Sequence, residues 1–152
     1  NGRSRGLGDV YKRQGMGFTA KNFRTWAATS RCAERLAFLS SKRTASEMKK
    51  WLKSIPSVES MDKLWSEGDW DVPTTDTGRN KAMLAVIDTV AANLGNTRTV
   101  CRSSYIHPWF LDAWAEGRLG EAWAEFEDMR AMGNMTPGES TTLRILKSVI
   151  KG

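Results

Sequence analysis

Two stretches of this sequence concentrate side chains able to act on a phosphate ester. The first, Thr19-Ala20-Lys21-Asn22-Phe23-Arg24-Thr25-Trp26, sets Lys21 and Arg24 three residues apart, nearly on one helical face. The second, from Leu94 to Pro108, carries Tyr105 with Arg98, Arg102 and His107 around it and Asn96 upstream. A phenol has a pKa of about 10, so it is protonated at neutral pH and must lose its proton as it attacks. Attack on a phosphodiester gathers negative charge on the non-bridging oxygens, so the site needs fixed donors aimed there. Arginine suits that task because its planar guanidinium donates two parallel bonds and stays charged. Each residue also has a plainer reading. A lone tyrosine in a helical domain ordinarily packs its ring and leaves the hydroxyl at the surface. Arginines along a helix ordinarily form a solvated face, and for Arg31 and Arg35 that reading is kept.

No general base stands out near Tyr105. His107 is the sole histidine, but two residues along the chain do not bring a ring onto the phenol oxygen, and geometry comes before pKa in such an assignment. Helix capping or a phosphate contact suits it better.

The elements that must position these residues read as helices. Thr19 is suited to N-capping, and no Gly or Pro follows for over twenty residues, which predicts a helix from about Ala20 to Leu39. At about 100° per residue, Phe23, Trp26, Ala27, Ser30, Ala33 and Ala37 share one side, while Lys21, Arg24, Ala28, Arg31 and Arg35 share the other. A second helix is expected from about Ala45 to Ile55, stopped by Pro56, with Met48, Trp51, Leu52 and Ile55 as its apolar stripe. Ser57 to Gly78 reads as loop with a short helix near Met61. The strongest periodicity, Met83, Val86, Ile87, Val90 and Leu94, predicts a helix over Arg79 to Leu94 ended by Gly95-Asn96 in a left-handed cap. Shorter helices follow at about Thr97 to Ser103, Pro108 to Glu116, Leu119 to Met132 and Pro137 to Lys151. No alternating pattern of useful length predicts a strand, so the fold class is all-α. Trp114 and Trp123 are expected in the core.

Composition bounds the partners. With 152 residues and 40% hydrophobic side chains the chain can bury a core. A net charge of +6 favours a polyanion, nucleic acid first, because basic groups that meet phosphates release condensed counterions. Cys32 and Cys101 lie far apart and outside any CxxC pattern, so neither a disulfide framework nor a zinc site is expected, and a reduced, cytoplasmic setting follows. No stretch approaches the roughly 18 apolar residues of a membrane span.

Together the two stretches resemble the signature of type IB DNA topoisomerases, most closely the bacterial, poxvirus-like branch, and the likeness runs from about Gly17 to the C-terminus. The resemblance implies the helical C-terminal catalytic subdomain of the DNA breaking-rejoining fold shared with tyrosine recombinases. It implies that Tyr105 attacks double-stranded DNA to leave a 3′-phosphotyrosyl link and a free 5′ hydroxyl, that supercoils relax, and that the hydroxyl reverses the reaction without ATP, metal or other cofactor. Arg24 matches the second catalytic arginine. Asn96 falls where eukaryotic and viral members usually carry a histidine, and its amide can still donate to a phosphate, though without an imidazolium charge. Lys21 is placed to contact a neighbouring phosphate or assist proton movement. Arg98, Arg102 and His107 are candidate contacts to the DNA backbone. A monomer associated with the bacterial nucleoid is the implied setting.

The family pattern also calls for an earlier arginine and for a hairpin lysine that protonates the departing 5′ oxygen. Neither has a counterpart here; both would lie upstream of Gly15, so residues 15–152 are expected to be an N-terminally truncated part that cleaves DNA poorly alone. Residues 1–14 read as a loose tail rather than native sequence. Asp9-Val10-Tyr11-Lys12-Arg13-Gln14 looks like the translation of GATGTGTATAAGAGACAG, a transposase adapter used in sequencing libraries. A natural basic arm is the alternative. Two rival functions stay open. A tyrosine recombinase or integrase fragment would share the arginine and tyrosine, although recombinases usually carry His where this chain has Lys21. A non-catalytic helical DNA-binding module would form no covalent bond.

Overall fold

The computed structural model describes residues 19–151, so the 1–14 tail lies outside the described residues. Among these every regular element is a helix, with one isolated antiparallel bridge, Arg43 to Trp70, and no strand. The all-α expectation holds.

Helix α1 spans Ala20–Phe38, begun by the Thr19 hydroxyl, which accepts from Asn22 N–H at 3.1 Å. It lies at the centre of the fold and packs against four other helices and the turn that carries Tyr105. Small residues make this possible: Ala28, Cys32 and Ala33 are wholly buried alongside Leu36 and Leu39. Ala28 corrects the two-sided reading of this helix. It falls on the side assigned to basic residues, yet a helix surrounded by neighbours buries more than one stripe.

Helix α2, Ala45–Leu52, opens with a capping box in which Thr44 and Glu47 satisfy each other's backbone N–H groups. It stops three residues short of the expected Ile55. The residue before a proline is pushed out of the helical region, and Ser54 closes the end early by bonding to the Trp51 carbonyl through both its N–H and its hydroxyl. The short helix expected near Met61 is α3, Glu59–Leu64, which packs against α4.

Helix α4, Asp76–Leu94, ends as expected: Gly95 sits at φ 68°, a left-handed conformation glycine tolerates without a Cβ clash. Helix α5, Arg98–Val100, runs directly into a π-helical turn, Cys101–Tyr105. Then come α6 (Pro108–Ala115), α7 (Leu119–Glu127) and α8 (Pro137–Lys151). The main core joins Leu36, Leu39, Met48, Met61, Val86, Ile87, Val90, Phe110 and Ile145. Each such side chain contributes roughly 1.5–3 kcal/mol on burial. Trp114 belongs to it, with its indole N–H donating to the Arg79 carbonyl at 2.8 Å. Trp123 is only half-buried at the core's edge, a correction to the expectation that it is core. A separate small cluster of Trp26, Met135 and Leu143, with Phe23, Met132 and Leu146 against it, holds the first turns of α1 to α8.

The free cysteines Cys32 and Cys101 are both buried. Burial pushes the Cys32 thiol up to about 12 and the Cys101 thiol up to about 11, and the two groups reinforce this at Cys32 by mutual repulsion.

Candidate nucleophile and phosphate-binding site

The rotation of α1 is fixed at its start by Phe23 and Trp26, which turn into the small cluster. Lys21 and Arg24 are thereby left exposed, as helix phase predicts. Arg35, four turns into the same helix, is not on a solvated face. Its guanidinium donates to Thr89 Oγ1 at 3.0 Å and Asn93 Oδ1 at 2.7 Å, joining α1 to α4, and burial lowers its pKa to about 10. The plain surface reading of Arg35 is therefore corrected. Periodicity alone could not separate it from Arg24, because the difference lies in what packs beside each.

The segment bearing Tyr105 is built in three steps. After the Gly95 cap, Asn96 N–H donates to the Ala91 carbonyl at 3.0 Å, completing the end of α4. Thr97 then caps α5, its hydroxyl accepting from Val100 N–H at 3.2 Å. Finally the helix widens, and Ile106 N–H reaches the Cys101 carbonyl at 3.1 Å, five residues back. The turn is anchored at both ends by buried apolar side chains, Cys101 and Ile106, while Arg102, Ser103 and Ser104 between them are exposed. Tyr105 is half-buried, its ring against the main core. The expected helix over Thr97 to Ser103 is present as this composite. A π turn has no simple sequence signature and follows from where the anchors must land.

Thr29, a residue the sequence reading did not single out, ties the two stretches together. Its hydroxyl donates to the Tyr105 carbonyl at 3.1 Å and accepts from His107 N–H at 3.0 Å. The helix that carries Lys21 and Arg24 thus holds the backbone that carries Tyr105. Arg24 precedes Thr29 by five residues, about 7.5 Å along the axis and about 140° around it. Arg24 is therefore exposed on a different face of α1 from Thr29. The available signal was a threonine in an otherwise apolar stretch, Trp26-Ala27-Ala28-Thr29, where a buried hydroxyl demands partners.

The remaining candidates divide. His107 is the N-cap of α6, with Nδ1 accepting from Trp109 N–H at 3.1 Å and Pro108 following. That leaves the ring proton on Nε2, and burial lowers the pKa. Capping, the plainer of its two assigned roles, is the one seen. Arg98 is forked onto Asp88, with Nε and Nη2 at 2.7 and 2.6 Å from its two oxygens, and Ser60 adds a bond to the same carboxylate. Arg98 holds the Asp88 carboxyl below its usual range, helped by Ser60. Arg98 Nε and Nη2 are therefore committed within the chain, whereas His107 engages its ring as an acceptor. Arg102 is exposed. With Arg98, Ser103, Ile106, Leu111 and Asp112 it lines a cavity of about 600 Å³ beside the π turn. Asn96 Nδ2 is enclosed and has no hydrogen-bond partner among the described residues. An orphaned donor of this kind costs about 1–3 kcal/mol, and a half-turn of the amide exchanges it with Oδ1.

Among the described residues, no helix is long and apolar enough to cross a membrane. Comparison with protein-family models, with curated proteins and with solved structures found no match.

Proposed function

We propose that this chain is the tyrosine-bearing C-terminal part of a type IB DNA topoisomerase. Tyr105 Oη attacks a backbone phosphorus of duplex DNA, a P–O bond to the tyrosine forms, and the bond to the 5′ oxygen breaks, that oxygen leaving as a hydroxyl. Religation reverses each step. Arg24 donates its fork to the non-bridging oxygens, where charge grows in the transition state. Lys21, three residues earlier, and Arg102, on the π turn, meet flanking phosphates. Asn96 supplies a neutral donor, and His107 orders the start of α6. The arginine and the general-acid lysine that the family also uses are assigned to sequence upstream of this chain, so the 152-residue piece is predicted to relax plasmid DNA poorly by itself.

One observation carries this reading: a single hydroxyl, Thr29, bonds the helix of Arg24 to the backbone on both sides of the Tyr105–His107 step. The helix that begins with one of the two motif-bearing stretches is thus bonded to the backbone of the other. The test is a DNA adduct that survives denaturation. The full-length parent should form it on nicked duplex, and Tyr105→Phe should abolish it, since the substitution removes only the nucleophilic oxygen. An adduct that persists in the phenylalanine variant would remove Tyr105 from the mechanism.

A further inference from the structure

We propose that Thr29 is a positioning residue for Tyr105, setting the backbone from which the phenol must reach phosphorus. This rests on the function proposed above. Thr29 is 2% exposed, and its neighbours Ala28 and Cys32 are wholly buried. Valine has the same shape and would lose no polar group to water, so packing alone gives no reason for a hydroxyl here. The reason lies across the seam. Tyr105 and His107 leave a helical turn for an extended step at Ile106, where φ is −84° and ψ is 127°. Helix-ending carbonyls and N–H groups at such an exit lack helical partners. The Thr29 hydroxyl takes one of each, donating to the Tyr105 carbonyl and accepting from the His107 N–H.

Three constraints then hold the Tyr105 backbone: the buried Cys101 at the start of the turn, the Ile106 N–H bond across it, and Thr29 at its exit. Of these, the last is the hydrogen-bonded tie to α1. It joins the Tyr105 backbone directly to the helix that carries Arg24. A displacement of about 1 Å at a reacting atom can slow chemistry about 100-fold without any loss of ligand contact. Thr29 touches no reacting atom and acts through the backbone of Tyr105.

The experiment uses the full-length parent and a nicked DNA duplex. Single-turnover formation of the covalent adduct and DNA affinity by fluorescence anisotropy are measured for wild type, Thr29→Val and Thr29→Ser, well below each protein's unfolding temperature. We expect Thr29→Val to slow the covalent step about 100-fold while Kd stays within about twofold, and Thr29→Ser to restore most of the rate. Loss through general loosening of the fold would weaken binding as well. If Thr29→Val does not fold, Thr29→Cys, a weaker donor and acceptor, carries the same comparison with an intermediate slowing. A wild-type rate in a folded Val or Cys variant overturns the positioning role and leaves the topoisomerase reading intact. No adduct from the wild-type parent overturns both.

Discussion

Arg24 and Arg35 stand on one helix, eleven residues apart, and their surroundings give them opposite uses. Around Arg35, α1 is sunk against α4, and the guanidinium is held by Thr89 and Asn93 with its pKa lowered by burial. Around Arg24, the helix rests on the small Trp26, Met135 and Leu143 cluster, and the guanidinium stays exposed. A cation already forked onto internal acceptors stiffens a fold, whereas one left in water beside a packed seam is available to an incoming anion. The same contrast separates Arg98, forked onto Asp88, from the exposed Arg102 four residues on.

Substitutions should separate the two arginines. Arg24→Ala in the parent is expected to slow adduct formation about 10²–10³-fold, the usual cost of one transition-state donor, while stability changes by less than about 0.5 kcal/mol, as at other exposed positions. A urea midpoint that moved as much as the rate would make Arg24 structural. Arg35→Ala should do the reverse, costing about 1–3 kcal/mol because the Thr89 and Asn93 oxygens lose their donor, with the covalent step little altered in folded protein. Lysine at 35 should recover only part of that loss, since one ammonium lacks the planar fork.

The smallest effect sharpens the picture at His107. Burial holds its pKa below the ordinary value, so between the two values the unfolded chain takes up more protons than the folded one. Stability is then complete above the unfolded pKa of about 6.5 and declines as pH falls through the window down to the folded value. His107→Asn keeps an N-cap acceptor that does not titrate, and urea midpoints between about pH 7.5 and 5.5 should lose that slope. An unchanged slope would place the titration at another group.

Much of this architecture is legible in the sequence, for identifiable reasons. Helix α4 keeps its glycine stop and buries Met83, Val86, Ile87 and Val90 as expected. It starts three residues early, at Asp76, and buries Ala82, Ala85, Thr89 and Ala91 too, so it is enclosed on more than one face rather than carrying a single stripe. The boundaries of α8 match the expectation at Pro137 and Lys151 because proline is preorganised for a first helical turn. Helix α7 does not run on to Met132. It ends at Glu127, and the chain turns so that Met132 and Met135 reach the small cluster, with Met132 N–H bonded to Ser140 Oγ at 2.8 Å. No local signal reports that pull, which is tertiary. At the candidate site, a resemblance to a known signature singled out Tyr105 and Arg24, and helix phase placed Arg24 off the apolar face. The Thr29 bonds and the Asp88–Arg98 fork join residues 76, 78 and 10 positions apart, and such pairings are decided only by packing.

The two thiols give this seam a chemical reporter of its own. Cys32 lies on the helix and Cys101 opens the turn, both sealed from water and both held as the unreactive protonated form. A soluble disulfide reagent can modify them only while the helix and turn have parted. The pace of that labelling in folded protein therefore clocks how often the interface breathes, with no added probe.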